Sequence, residues 1–147
     1  WPANVERKDH IGPSEHRRFY GSQRFTLNVT RKAMAVAGWS PSVRLFEAAA
    51  CATPIVTDPW PGLDELLAPG SEILVVRTAV EALRLLRELP EAHRIKVGEA
   101  ARRRILAEHT SQHRAETLER YTRELLERRA RRTRVVVSGT VDPGGEA

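Results

Sequence analysis

The chain has 147 residues, with 24 Lys and Arg against 19 Asp and Glu, 41% hydrophobic residues and a single cysteine. This length fits one folded domain and is too short for a two-domain enzyme with a cleft between full-sized halves. One cysteine forms neither an internal disulfide nor a cysteine-rich zinc site. Because the longest apolar runs fall far short of the roughly 20 residues that span a bilayer, and the N-terminus lacks a signal-peptide pattern, we expect a cytoplasmic protein without a membrane span.

The first forty residues predict one short helix and one strand. Ser14 follows a Gly-Pro turn and caps a predicted helix that runs to about residue 22. Residues 25–29 are rich in β-branched and aromatic side chains and predict a short strand. We interpret residues 30–39 as an irregular connection.

The middle of the chain predicts a helix followed by a buried strand. Ser40 and Pro41 form a strong helix start, because a serine oxygen caps exposed backbone NH groups and proline suits the first helical position. The predicted helix runs to about residue 52, where Thr-Pro follows. Residues 55–57 then predict a second strand, and a rigid loop rich in proline comes after it.

The second half predicts a third strand and three helices. The strand covers residues 72–76, and Thr78 with Glu81 three positions later forms a capping box for the next helix. Two further helices are predicted over about 91–108 and 111–130. Strands that alternate with helices indicate right-handed crossovers, so the predicted fold class is α/β, a Rossmann-like parallel sheet with flanking helices followed by a helical segment.

The end of the chain differs from the rest in charge. Residues 128–147 hold five arginines and only two acidic residues, so the preceding part is nearly neutral. The segment has no amphipathic period, and we predict a domain over residues 1–127 and a basic, disordered tail over 128–147. Nucleic acid is an unlikely partner because phosphate binding needs a basic surface on the folded part.

The start of the helix predicted over residues 40–52 carries the residues best suited to bind a ligand. Ligands of parallel α/β sheets bind outside the carboxyl ends of the strands, near helix N-termini, where free NH groups attract phosphate. Ser42 adds a hydroxyl and Arg44 a forked cation there. Glu47, one turn further, can accept hydrogen bonds from two adjacent sugar hydroxyls. The alternative is that Arg44 and Glu47 form only an exposed helical ion pair.

Three other positions near the strand ends are candidates. Asn28 and Arg31 follow the carboxyl end of the first strand, although capping of the next loop explains the asparagine equally well. Trp39 suits either stacking on a base or core packing. The histidines lack a convincing third ligand, so we expect no metal and no cofactor.

With Phe-Tyr and Leu-Asn-Val-Thr-Arg before it and an Asp with Gly-Leu and Pro-Gly-Ser-Glu after it, the segment from Gly38 to Pro54 resembles the CgeB-like spore-maturation glycosyltransferases. Their C-terminal domains belong to the retaining GT-B group. The resemblance covers residues 1 to about 125 and implies the C-terminal half of a GT-B architecture. It implies a nucleoside-diphosphate sugar as donor, with the acceptor, of unknown identity, bound by a preceding domain in cis.

Carried over by position, Glu47 matches the second acid of the family's paired-glutamate motif, which implies that it holds the donor ribose. The donor-binding set is then Glu47 and Arg44 with Ser42, Ser40, Asn28 and Arg31, and no catalytic residue is assigned. The pattern departs from the family in two residues: Trp39 stands where the first acid is expected, and Ala52 stands where relatives usually carry Gly. The glycine-rich diphosphate clamp is also missing, so the chain is expected to begin near the third strand of that domain.

The leading hypothesis is the donor-binding portion of a hexosyltransferase-like glycosyltransferase that is inactive as this isolated fragment. The alternative is a non-catalytic nucleotide-sugar-binding or partner-docking module, favoured by the missing first acid. The sequence identifies neither the nucleotide, the sugar nor the oligomeric state.

Overall fold

The structure is a computed structural model that describes residues 2–138, with side chains through residue 132. The chain divides into two compact units, residues 1–108 and residues 109–147. The first unit holds the sheet and all the predicted site residues. Each unit is described by itself.

Three short parallel strands form the sheet of the first unit, in the order β1-β2-β3. The strands are β1 (Thr26–Asn28), β2 (Ile55–Thr57) and β3 (Leu74–Val75). Asn28 pairs with Thr57 in the register of β1 and β2, so two polar residues end these strands side by side. The predicted α/β class with a parallel sheet flanked by helices is confirmed, with strands shorter than the sequence suggested.

Helices connect and cover the strands. They are a 3-10 turn (Pro13–Glu15), α1 (His16–Gly21), α2 (Lys32–Ala37), α3 (Val43–Ala50), α4 (Leu63–Leu66), α5 (Ala79–Glu88), α6 (Glu91–Glu108) and, in the second unit, α7 (Ser111–Ser138). Helix α3 packs against α6, against α1 and against the first two strands. Its start therefore lies where the carboxyl ends of β1 and β2 meet.

The core divides between the two faces of the sheet because neighbouring residues of β2 point in opposite directions. Ile55 belongs to the larger cluster, which also contains residues of α3, α4 and α6, and Val56 belongs to a smaller cluster with Leu74 and Val97. Both β2 residues are fully buried. This continuous burial is typical of a central parallel strand covered on both faces.

A close contact between α6 and the end of α3 depends on one glycine. Gly98 is buried, and a Cβ added there would collide with the backbone carbonyl oxygen of Ala52. Ala52 itself has a φ of 57°, in the left-handed region that glycine adopts without steric cost. The glycine expected at this position in relatives thus has a conformational reason, and the alanine here is strained.

Several local expectations differ from the structure. Residues 32–37 form α2 rather than an irregular connection, because Lys-Ala-Met-Ala-Val-Ala is rich in good helix formers. Helix α3 begins at Val43 with Ser42 as its N-cap, so the prediction that Ser40 caps it is wrong.

Helix α7 runs to Ser138, so residues 128–138 are helical where the sequence predicted a disordered tail. Arginine and alanine, which occupy positions 128–132, are good helix formers, and earlier in α7 pairs such as Arg123 with Glu119 support the helix along its exposed surface. The last nine residues of that predicted tail, 139–147, lie outside the described residues. Across the described part of the chain, every helix is too short or too polar to cross a bilayer.

Candidate functional site

A polar pair occupies the carboxyl ends of β1 and β2. Asn28 is 3% exposed, and its Nδ2 donates a hydrogen bond of 3.0 Å to Oγ1 of Thr57. Thr57 is fully buried, although a buried strand position is usually apolar. Because a buried polar group costs free energy unless it is hydrogen bonded, removing either side chain would leave the other with an unmet hydrogen bond. The side-chain oxygen of Asn28, Oδ1, remains available to a third group.

The third group is Arg44. Its Nη1 donates to Oδ1 of Asn28 at 3.4 Å, a long hydrogen bond that links the first turn of α3 to the end of β1. The residue is exposed, and a guanidinium carries five NH donors. Arg44 is thus held by Asn28 and also acts on the Tyr20 hydroxyl, and its exposed guanidinium has further donors that can bind an anion.

Ser42 shapes the beginning of α3. Its Oγ accepts a hydrogen bond of 3.4 Å from the backbone NH of Arg44, the usual arrangement of an N-cap serine. The Leu45 NH donates to the Ser42 carbonyl oxygen at 3.1 Å, so the Val43 NH is the first-turn group that points out of the helix with the positive end of its dipole. The start of α3 therefore presents a backbone NH, a hydroxyl and a guanidinium together, all of which suit a phosphate.

Glu47 lies one turn further along α3, and α1 holds its carboxylate. The Tyr20 hydroxyl donates a 3.0 Å hydrogen bond to Oε2, and Nδ1 of His16 lies 3.3 Å from Oε1. Nε2 of His16 lies 3.1 Å from the carbonyl oxygen of Ile11, which fixes the ring from its other side. The Glu47 side chain stays 27% exposed. A carboxylate oxygen accepts more than one hydrogen bond, so Glu47 can still bind ligand hydroxyls.

The pKa of Tyr20 reflects its burial and its contact with Glu47. Burial raises the pKa of Tyr20 from 10.0 to about 12, and the hydrogen bond to the Glu47 carboxylate with its negative charge adds to the rise. The Arg44 guanidinium acts in the opposite direction. Tyr20 therefore stays a neutral donor to Glu47 across the physiological pH range.

Asp58, in the loop after β2, is hydrogen bonded to Thr30 in the loop after β1. Its Oδ1 accepts 2.9 Å and 2.8 Å hydrogen bonds from the backbone NH and the Oγ1 of Thr30. The loops that follow β1 and β2 at the carboxyl edge of the sheet are thus joined by a carboxylate. Asp58 acts here as a loop clamp.

The structure brings together four of the six predicted donor-binding residues: Asn28, Ser42, Arg44 and Glu47. Ser40 is half-buried in the turn before α3 and is not the cap. Arg31 stands at the N-cap position of α2, is exposed and makes no side-chain capping bond. Among the described residues, Glu47 lies within ion-pair distance of His16 rather than Arg44, and Arg44 donates to Asn28, so the alternative of an ion pair between Arg44 and Glu47 is wrong.

Sequence reasoning missed His16, Tyr20 and Thr57. A signal existed for the first two, because residues four apart on a helix share a face, and this face carries two groups that hydrogen bond a carboxylate. Thr57 ends the second strand as Asn28 ends the first, a symmetry that is visible in the sequence. The pairing of Glu47 with α1 is a tertiary contact across 27 residues, which no local pattern predicts.

Across residues 2–138, no group of three or more His, Cys, Asp and Glu side chains is arranged to hold a metal ion. A groove elsewhere on the first unit is lined by residues 5–8 and by Ile11, Phe19, Ser22 and Gln23. It contains none of the strand-end residues. The chemistry suited to a phosphate and a diol is therefore concentrated at the start of α3.

The glycosyl transferase-like family matches residues 1–120. The chain belongs to this family. The expected glycosyltransferase resemblance is confirmed at this level, and the narrower CgeB-like assignment stays a prediction. No protein with a curated description matches the chain.

The fold of this glycosyl transferase-like chain has a solved counterpart. It is similar to the sucrose-phosphate synthase from Thermosynechococcus elongatus, with a TM-score of 0.50 and 22% sequence identity over 60% of this chain and 23% of that one. At this identity the similarity shows the fold alone, an α/β fragment of GT-B type. The chain spans less than a quarter of the synthase's length.

Proposed function

We propose that the chain is the donor-binding portion of a retaining, CgeB-like glycosyltransferase that moves a sugar, here a hexose, from a nucleoside diphosphate to an acceptor. Membership of the glycosyl transferase-like family supports the reaction class. The observation that carries the donor site is the grouping of Arg44 and Glu47 at the start of α3, over the carboxyl ends of two parallel strands. This is where ligands of parallel α/β sheets bind.

Arg44 and the backbone NH of Val43 at the start of α3 bind the diphosphate in this proposal. As the glycosidic bond breaks, negative charge grows on the leaving diphosphate. Fixed donors aimed at a developing anion stabilise it without reorganisation. The Asn28 anchor keeps the guanidinium on the strand side of α3, and Asn28 is in turn held by Thr57.

Glu47 positions the donor by accepting hydrogen bonds from the ribose hydroxyls. Tyr20 and His16 hold its carboxylate from the α1 side, so its orientation is set before the donor arrives. Preorganisation of this kind raises affinity, because less side-chain freedom is lost on binding. Glu47 transfers no proton in this account.

Titration calorimetry with UDP, GDP and their sugar conjugates tests the donor site, using the protein as its gene encodes it. Glu47→Gln should weaken nucleotide binding at least about tenfold, because the amide loses one acceptor and repositions its hydrogen bonds. Glu99→Gln is the control, since it removes one exposed carboxylate of α6. An unchanged dissociation constant in Glu47→Gln rules out this role.

A second candidate is a non-catalytic nucleotide-sugar-binding or partner-docking module. It is favoured by Trp39, which stands eight positions before Glu47, where the paired-glutamate motif has its first acid. Sugar release from the bound donor separates the candidates. Tight donor binding with neither hydrolysis nor transfer in the gene-encoded protein favours the module, and turnover favours the enzyme.

A further inference from the structure

Trp39 is held in an unusual conformation at the same edge of the sheet. Its φ is 52°, in the left-handed region, and 61% of the residue is exposed. A large side chain in this region costs of order 1–2 kcal/mol, and exposure of an indole adds to the cost. Such outliers persist only where the surrounding structure fixes them, and they concentrate at functional sites.

The loop after β2 forms a seat for the indole. A Cβ added at Gly62 would lie 2.5 Å from Cε3 and 2.8 Å from Cδ2 of Trp39, so one face of the indole ring lies against the glycine. The Trp39 backbone NH donates a 2.8 Å hydrogen bond to the carbonyl oxygen of Pro61. Gly38 also has a positive φ and leaves little space beside Pro61. One face of the indole is thus supported, and the exposure leaves the other open.

The core-packing interpretation of Trp39 is therefore wrong. The nearby Trp60 is 8% exposed and belongs to the core, whereas Trp39 lies outside it. A rigid aromatic ring with an open face suits a flat apolar ligand surface, such as a base or the C–H face of a sugar ring.

The placement of groups around the start of α3 distinguishes these two ligands. Glu47 lies beyond the first turn of α3 and is held by α1, whereas Trp39 precedes the helix and its ring rests on Gly62 in the loop after β2. In the proposed function, Glu47 holds the ribose and the start of α3 holds the diphosphate. A nucleoside-diphosphate sugar carries its sugar on the opposite side of the diphosphate from the ribose. The sugar therefore extends towards Trp39 and the base extends away from it.

We infer that Trp39 is the stacking platform for the hexose ring of the donor, in place of an acidic contact to its hydroxyls. The inference rests on the proposed function, since it uses the ribose and diphosphate positions. An aromatic face recognises the ring by shape and apolar C–H surface, and it adds no charge to the sugar subsite. This assigns Trp39 a role in sugar affinity and none in nucleotide affinity.

The test compares each bare nucleotide with its sugar conjugate, using UDP with UDP-glucose and GDP with GDP-mannose. For the sugar conjugate of the pair that binds, Trp39→Ala should weaken binding about tenfold, which is typical of removing an aromatic anchor that the ligand buries. The affinity for the bare nucleotide should change less than about twofold. Trp39→Phe should retain most of the affinity because it keeps an aromatic face. Val80→Ala, which shortens another exposed apolar residue, is the control.

The outcomes separate the two proposals. Equal weakening of nucleotide and conjugate in Trp39→Ala overturns the sugar platform and assigns the indole to the nucleoside. No weakening of either also overturns it. If the wild-type protein binds none of the four ligands, the proposed function itself fails and the platform fails with it. Urea unfolding midpoints of the variants show that the loop change has not unfolded the domain.

Discussion

The hydrogen bond from Tyr20 to Glu47 gives the sharpest test of the site's geometry. Tyr20→Phe removes only the hydroxyl, so the edge-on contact with Phe19, with ring centroids 5.1 Å apart, remains. Glu47 then keeps His16 but loses its 3.0 Å donor. A hydrogen bond to a charged group contributes about 1.5–3 kcal/mol, and the partial exposure of Glu47 lowers this, so we expect a loss of about 1–2 kcal/mol in unfolding free energy at neutral pH.

The pKa of Tyr20 makes this loss depend on pH. The folded-state pKa of about 12 lies above the ordinary value of 10.0, so folding favours the neutral phenol. The stabilisation is fully present below pH 10 and is lost as the pH rises through 12. Two pH units correspond to at most about 3 kcal/mol, and screening by water reduces this. The stability gap between wild type and Tyr20→Phe should therefore narrow over this window.

Phenolate absorbance measures the same effect directly. The chain has two tyrosines, so the absorbance of wild type minus that of Tyr20→Phe gives the titration of Tyr20 alone. We expect a midpoint of about 12 while the protein remains folded. Tyr121→Phe is the matched control, because Tyr121 is 52% exposed and lies in the second unit. A Tyr20 midpoint near 10, or equal stability of wild type and Tyr20→Phe, would refute the contact with Glu47.

Two further changes test the surroundings of the site. Ala52→Gly should raise the unfolding free energy by about 0.5–1 kcal/mol, because relief of the left-handed φ outweighs the added freedom of the unfolded chain. Urea denaturation measures this change. A lower unfolding free energy in the variant would contradict the strain at Ala52. Asn28→Ala should lower stability by about 1–3 kcal/mol, because it leaves the buried Thr57 hydroxyl without its donor, and it should weaken UDP binding by freeing Arg44. Unchanged UDP affinity would show that Arg44 needs no anchor.

Much of the fold follows from local sequence patterns. Strand β2 could be predicted because Ile-Val-Thr is short, β-branched and bounded by Thr-Pro and Asp-Pro. Thr78 caps α5 as predicted, accepting a 3.1 Å hydrogen bond from the NH of Glu81. The carboxyl edge could also be located, because parallel strands and helix starts meet there in this fold class.

The rest depended on information that local patterns lack. Ser40 and Ser42 are both good caps by residue type. Ser42 is the N-cap, and the chain just before it is tied to the loop after β2 by the hydrogen bond from the Trp39 NH to the Pro61 carbonyl oxygen. The exposed position of Trp39 depends on the loop after β2, where Gly62 lies beneath its ring, and no local pattern encodes that contact. The α1 contacts of Glu47 arise from packing between distant segments.

A crystal structure of the gene-encoded protein with a bound nucleoside diphosphate sugar tests the central claim most directly. The account predicts the diphosphate at the start of α3 against Ser42 and Arg44, the ribose hydroxyls within hydrogen-bonding distance of the Glu47 carboxylate, and the hexose against Trp39. A nucleotide bound elsewhere, or bound here with its ribose away from Glu47, would contradict it.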